Sequence, residues 1–259
     1  MLPIRQAETE RALGDEIAER LAHPLFSGSI RPGELLPKET ELCDRYEVSR
    51  ASVRSGLQSL VARGIVSRFA GQGTIVQDYR DWNILDPLVT RWLVDYGIPT
   101  PDFIRDIFEF RHAAEPLIAA LAARNAGARD LLAMEEAYTG MEKAVGSSVM
   151  TWEGRSFTDY DVEFHVAIFR GTRNAVWAQL SHIMRPAITL VIRRSNDTAD
   201  ELRDSLGRHR HLMECIRLRD ADGAFAATLN VMNRTALDLG LAGDAEHPLV
   251  AVLKAQLGR

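Results

Sequence analysis

The sequence predicts a mostly α-helical protein: a small N-terminal unit of three helices and a β-hairpin, followed by a larger unit of helices alone. Apolar residues recur at helical spacing along most of the chain, and β-type runs are confined to 65–76. The length of 259 residues exceeds one typical domain of about 100–150 residues. We expect domains over 1–77 and 86–240, a linker over 78–85 and a C-terminal tail over 241–259.

The N-terminal unit begins with a helix predicted over 10–27, which glycine and proline end at 28–33. A second short helix is expected within 38–47. A third should run from Arg50 to about Arg63, because Ser49 is a good N-cap and Gly64 is placed to end it. Its buried stripe is expected to comprise Val53, Leu57 and Leu60.

Two short β-type runs follow, at 65–69 and 74–76, joined by the glycine-containing sequence AGQG. We interpret them as a hairpin. The glycines do not indicate a phosphate-binding loop, since they lie between two strands and do not open a helix.

The remainder of the chain shows no convincing strand pattern and predicts an all-α unit. The tail is amphipathic and is expected to form a last, docked helix. The predicted helices cover 86–96, 101–125, 128–145, 156–170, 173–194, 200–219 and 221–240.

Composition indicates a soluble protein, with 46% apolar and 26% charged residues. No apolar run approaches the roughly 20 residues that cross a bilayer, and the acidic N-terminus lacks an export signal, so we expect a cytoplasmic protein with no membrane partner. Cys43 and Cys215 lie far apart and outside any Cys/His cluster, which argues against a disulfide framework or a zinc module.

The net charge of −5 conceals a basic segment. Residues 45–80 contain six basic and two acidic residues, whereas both flanking regions are acidic. Positive charge concentrated around one short helix and a hairpin is typical of a surface that binds nucleic acid.

The order helix, turn, capped helix and hairpin is that of a winged helix-turn-helix, whose second helix enters the major groove of DNA. Arg50 and Arg54 share one shoulder of that helix, and Ser49 and Ser52 add hydroxyls near its N-terminus. Arg68 and Gly71, in the wing, would approach the DNA backbone or minor groove. On charge alone, a solvated helix face with incidental arginines is an equal alternative.

The residues over 30–76, IRPGELLPKETELCDRYEVSRASVRSGLQSLVARGIVSRFAGQGTIV, resemble the GntR family of bacterial transcription regulators almost position by position. The resemblance implies an operator-binding winged helix-turn-helix. It places DNA contacts at Lys38, Ser49, Arg50, Ser52, Arg54 and Gly71.

Four polar residues of the helical unit fall on predicted core stripes: Arg111, Asp161, His165 and His209. Taken singly, Arg111 could pair with Glu115, Asp161 and His165 could form a hydrogen-bonded pair on a partly exposed face, and His209 could be a satisfied core histidine. Because buried unpaired charges are costly, their joint occurrence favours a shared polar cavity for a metal or an anionic ligand.

The segments FRHAAEPLIAALAAR, DYDVEFHVAIFRGTRNAVW and RHRHLMECIRLRDADGAF resemble the FCD ligand-binding domain of the FadR subfamily, a helical bundle in which many members bind a divalent metal. The resemblance implies metal ligands at Asp161, His165 and His209, for zinc or a similar ion. Val231 stands where the family has its last histidine. Its presence should weaken metal binding and leave one coordination side open. Arg111 and Asn174 are the candidates for binding the effector.

These resemblances imply a homodimeric repressor whose affinity for operator DNA changes when a small organic acid binds. The segment DWNILDPLVTRWLVDYG resembles regulators of sugar-acid catabolism of the galactonate-responsive type, so an aldonate or hexuronate is the first expectation. Lactate, another hydroxy acid or an acyl ligand is the alternative. A metal-dependent enzyme or a structural nucleoid protein fits less well, because the sequence offers no general base or oxyanion groups at recognisable spacing and a structural protein needs no buried polar pocket.

Overall fold

The structure is a computed structural model that describes residues 3–97, 101–198 and 202–241, with side chains from residue 13 onward. The chain divides into two compact units, residues 1–99 and residues 100–259. Each is described by itself.

The N-terminal unit contains four helices, a short 3-10 turn and one antiparallel hairpin. The hairpin pairs Val66 with Val76 and Phe69 with Gly73. In chain order the elements are α1 (Pro3–Phe26), α2 (Glu39–Tyr46), α3 (Arg50–Ala62), β1 (Val66–Phe69), β2 (Gly73–Val76), the 3-10 turn Tyr79–Asp81 and α4 (Pro87–Asp95).

Local sequence explains both ends of α3. The Ser49 hydroxyl accepts a hydrogen bond from the backbone N–H of Ser52 at 3.1 Å, as an N-cap does. Gly64 follows the helix with φ of 70°, where an added Cβ would lie 2.2 Å from the backbone oxygen of Asp81. The predicted stripe of Val53, Leu57 and Leu60 is buried against α1 and confirms the helical periodicity.

The helix α4 belongs to the N-terminal unit, whereas the sequence-based division assigned it to the second. Trp92 is buried in the core of the first unit, and its ring nitrogen donates a hydrogen bond to the Glu19 carboxylate of α1 at 2.8 Å. The Tyr96 hydroxyl donates to the same carboxylate at 2.5 Å. Trp82, in the predicted linker, packs on Phe26 with ring centroids 4.5 Å apart, so 78–85 is anchored to this unit.

The second unit is helical, as predicted, with one addition. A hairpin of two-residue strands precedes α7; it is too short to produce an alternating sequence pattern. Its elements are α5 (Pro101–Asn125), α6 (Ala128–Gly146), β3 (Thr151–Trp152), β4 (Arg155–Ser156), α7 (Phe157–Gly171), α8 (Ala175–Thr198), α9 (Leu202–Arg217) and α10 (Ala221–Asp238). The two units together confirm the predicted fold class.

Within the described ranges, one helix is long and apolar enough to span a bilayer by length and composition, which differs from the expectation drawn from apolar runs. The stretch Ala175–Asp197, within α8, meets this criterion, and a third of it is buried. It packs on α7, where Arg185 pairs with Glu163, and core helices of soluble proteins meet the same criterion. The predicted tail helix at 241–259 lies, from residue 242, outside the described residues.

Candidate metal centre and nucleic-acid interface

Most of the side chains predicted to contact DNA lie on the exposed surface of the N-terminal unit. Arg50 and Arg54 are exposed on the first turns of α3, and Ser49 is exposed at its N-cap. The remaining exposed members are Lys38, which precedes α2, and Arg68 and Gly71 in the wing.

The structure does not bring Ser52 to this surface. Its side chain is fully buried, and its hydroxyl lies 3.0 Å from the Ser49 hydroxyl, where either can donate. A buried hydroxyl that is already hydrogen-bonded holds the N-cap in place and does not face solvent.

An acidic residue that the sequence analysis did not identify joins the recognition helix to the wing. The Glu39 carboxylate, at the start of α2, accepts a hydrogen bond from Arg54 Nε at 2.9 Å and pairs with Arg68 of β1 through its other oxygen. The hydrogen bond from Arg54 contributes most to lowering the pKa of Glu39. Because the pairs join residues 15 and 29 positions apart in sequence, no local pattern predicts them. Arg50 has no ion pair within the described part of the chain.

In the helical unit, three predicted metal ligands come together. Asp161 and His165 lie one turn apart on α7, and His209 lies on α9. All three side chains are buried, and each offers a ligand atom within 4.8 Å of the others. The Asp161 Oδ1 atom lies 3.4 Å from His165 Nε2 and 3.2 Å from His209 Nε2.

The outer hydrogen bonds of the two histidines fix their orientation. His165 Nδ1 lies 2.8 Å from Glu115 Oε2, and His209 Nδ1 lies 2.8 Å from the backbone oxygen of Ser205, so each Nδ1 donates outward. In a neutral imidazole this leaves the Nε2 lone pair facing Asp161. Histidine ligands of metals characteristically donate their other nitrogen to a carboxylate or carbonyl in this way.

Hydrogen bonding leaves part of this cluster unsatisfied. Among the described residues, Asp161 Oδ1, His209 Nε2 and Arg111 Nη1 are buried without a hydrogen-bond partner. Acceptor atoms that face one another in a dry interior are stabilised by a cation between them, and an unpaired guanidinium nitrogen by an anion. The residues therefore fit a metal ion together with an acidic ligand.

Arg111 of α5 pairs with Glu115, which the sequence offered as the alternative to a shared polar cavity. Arg111 is 1% exposed, and its Nε donates to Glu115 Oε1 at 2.5 Å. Burial alone would raise the pKa of Glu115, but Arg111 and His165 outweigh it and lower that pKa to about 2. Burial alone would lower the pKa of His165, whereas Glu115 and Asp161 raise it to about 9. A divalent ion would displace that imidazolium proton.

A small cavity adjoins the cluster. Its volume of about 20 Å³ holds roughly one water molecule. Beyond the metal-type ligands and Arg111, the lining comprises Ile192, Ser195, Asn196, Ser205, Arg208, Val231, Arg234, Thr235 and Asp238.

The structure does not bring Asn174 to this cavity. Its side-chain oxygen accepts from the backbone N–H of Val176 at 2.9 Å, which makes Asn174 the cap of α8. The asparagine at the cavity is Asn196, whose side-chain nitrogen donates to Asp161 Oδ2 at 3.2 Å. Arg208, beside His209, and Arg234, three residues after Val231, were also missed. The i+3 spacing from Val231 could have indicated Arg234, whereas adjacency to His209 gives no such signal for Arg208.

A capped basic helix beside a wing, in a chain that also carries a buried ligand-type cluster, defines a DNA-binding regulator. Comparison with known proteins gives the family. Residues 13–76 match the family of bacterial regulatory proteins called gntR, and residues 106–234 match the FCD domain. The chain belongs to the GntR family, in the FadR-like subfamily with an FCD domain, and is a transcriptional regulator and not an enzyme.

Two relatives and one solved structure illustrate the likeness. The chain is 30% identical over 220 residues to the galactonate operon transcriptional repressor of Escherichia coli (strain K12), covering 84% of this chain and 93% of that protein. It is 27% identical over 227 residues to the putative L-lactate dehydrogenase operon regulatory protein of the same strain, covering 85% of this chain and 83% of that protein. The structure of Lar, which controls expression of the Listeria monocytogenes agr system, shares the fold with a TM-score of 0.54 and 16% identity, covering 87% of this chain and 95% of that chain.

Proposed function

We propose that the protein is a cytoplasmic, homodimeric repressor whose operator affinity changes when a small hydroxylated acid, of the sugar-acid class, binds in the helical unit. The observation that carries this proposal is that Asp161 Oδ1, His209 Nε2 and Arg111 Nη1 are all unsatisfied at one buried cavity. An acid with neighbouring oxygens, together with a divalent ion, would satisfy all three.

In this proposal Asp161, His165 and His209 hold the metal, zinc or a similar ion. The metal, when bound, supplies the positive charge that attracts an acid oxygen. Val231 provides no ligand atom, so one coordination position is left for the acid. The Arg111 guanidinium, held by Glu115, would receive the carboxylate through its unpaired Nη1.

The first candidate is an aldonate or hexuronate, because the galactonate operon repressor is similar over nearly its full length. A smaller hydroxy acid such as lactate is the second candidate. It is favoured by the similarity to the putative L-lactate dehydrogenase operon regulator and by a cavity of about 20 Å³. A six-carbon acid requires the cavity walls to move apart, which gives the ligand a means to change the conformation of the unit.

A thermal-shift screen of aldonates, hexuronates and lactate, with and without a chelator, tests this proposal. Acids that bind the native state raise the melting temperature, and the ranking identifies the class. If every acid leaves the melting temperature unchanged with and without zinc, the proposed effector site is wrong.

We expect His209→Ala to lose bound zinc while His182→Ala, an exposed histidine on α8, retains it. Zinc at 100 times its dissociation constant should add about 2.7 kcal/mol to the free energy of unfolding of the unmodified protein. Metal content by mass spectrometry and melting curves with and without chelator provide the measurement. Equal zinc content in both variants would show that His209 is not a metal ligand.

We also expect a dimer. One winged helix offers few contacts, whereas two related by a twofold axis contact half-sites about one helical turn apart. The apolar helix α8, of which a third is buried, supports an apolar contact surface in the helical unit. Light scattering at micromolar concentration should give twice the mass of the 28.9 kDa chain, and a monomer mass would contradict the proposal.

A further inference from the structure

We infer that Arg208, supported by Arg234, forms a second anion-binding point in the cavity, so that the effector carries two negatively charged groups, as a sugar diacid or a phosphorylated sugar acid does. This inference rests on the proposed function and narrows its class of acids. It adds a ligand contact on α9 and α10, on helices other than that of Arg111.

Arg208 is placed to bind a ligand: the carboxylates of Asp204 and Asp238 act on its charge, but neither forms an ion pair with it. It lines the cavity from α9, is half-buried, and has no carboxylate within ion-pair distance in the described ranges. Partly buried guanidinium groups are ordinarily paired, because burial removes bound water and a hydrogen-bond partner must replace it. An anionic ligand group would supply the missing partner.

Arg234 brings a second guanidinium to the same cavity from α10. Its Nε donates to Asp238 Oδ1 at 2.8 Å, so its own charge is largely balanced. Arg208 and Arg234 thus place two positive charges beside Asp238 at the cavity. Asp204, the other carboxylate that acts on Arg208, is exposed and lies outside the lining. These charges are separate from the Arg111–Glu115 pair on α5.

The charge of the whole cavity leads to the same conclusion. The Arg111–Glu115 pair is neutral, and Arg208 and Arg234 balance Asp161 and Asp238. With neutral histidine ligands and a divalent ion, the lining carries two net positive charges. A monocarboxylate would leave one of them uncompensated in a buried site, whereas a dianion balances both.

Isothermal titration of the full chain with added zinc tests the inference, with galactonate, galactarate and 6-phosphogluconate as probes. We expect galactarate or 6-phosphogluconate to bind the unmodified protein at least about tenfold more tightly than galactonate. At neutral pH galactarate carries two negative charges and 6-phosphogluconate about 2.5 to 3, and the tighter-binding of the two identifies whether the second group is a carboxylate or a phosphate.

Arg208→Gln separates the second anion-binding point from the first. It should weaken the affinity for the preferred probe by about tenfold or more and leave the affinity for galactonate within about twofold. The matched control is Arg203→Gln, an exposed arginine on the same helix, which should leave every affinity unchanged.

The failures of the two proposals are distinguishable. If galactonate binds but neither galactarate nor 6-phosphogluconate binds more tightly, or if Arg208→Gln weakens the binding of galactonate and of the preferred probe equally, this inference is overturned and the sugar-acid function stands. If no acid binds the folded, zinc-treated protein, the proposed function fails and the inference fails with it.

Discussion

Replacing Arg50 and Arg54 together with alanine is expected to eliminate specific operator binding while leaving the fold unchanged. Both side chains are exposed on the first turns of α3, so their removal disturbs no core. Each contact to guanine or phosphate should contribute about 1–3 kcal/mol to binding. A mobility-shift assay on DNA selected by the protein from a random pool, with circular dichroism of both proteins, gives the measurement.

Arg129→Ala is the matched control, because it removes the same charge from an exposed position on α6. It should bind operator as the unmodified protein does. If the double variant binds as tightly as this control, α3 is not the recognition helix.

Arg111→Ala is expected to cost about 3–5 kcal/mol of stability, because it leaves the buried Glu115 carboxylate without its guanidinium partner. The side chains of both residues are at most 4% exposed, so water cannot replace the lost contact. Urea denaturation, monitored by circular dichroism, measures the loss.

The double variant Arg111→Met/Glu115→Leu tests whether the cost arises from the unpaired charge. Replacing both partners with apolar residues of similar volume should restore part of the lost stability, because the buried His165 Nδ1 still loses the Glu115 carboxylate that accepts its hydrogen bond. Equal destabilisation of the single and double variants would show that the unpaired Glu115 carboxylate is not the main cost of Arg111→Ala.

Local sequence patterns predicted much of the fold. The apolar stripe of Val53, Leu57 and Leu60, the Ser49 cap and the Gly64 stop all depend on residues within a few positions of one another. The same holds for Asp161 and His165, which one helical turn brings together. Such features depend on helical periodicity and capping, which a single sequence displays.

The features that were missed depend on contacts between distant elements. Glu39 contacts Arg54 and Arg68 across three elements, and neither pair has a sequence signature. Asn174 was favoured for its position, but its side chain caps the N-terminal end of α8, whereas Asn196, near the C-terminal end of the same helix, reaches Asp161. Ser52 has a hydroxyl that could contact DNA, but its side chain is buried on the inner side of α3.

Control of DNA binding by the cavity is tested by the operator affinity measured by fluorescence anisotropy, with and without a saturating sugar acid, for the unmodified protein and Asp161→Ala. We expect an acid shown by titration to bind the unmodified protein to change its operator affinity by about 5–150-fold. Asp161→Ala removes the carboxylate that lies beside Nε2 of both histidines. This variant should bind operator without responding to the acid. An unchanged operator affinity of the unmodified protein at saturating acid would contradict the claim that this cavity controls DNA binding.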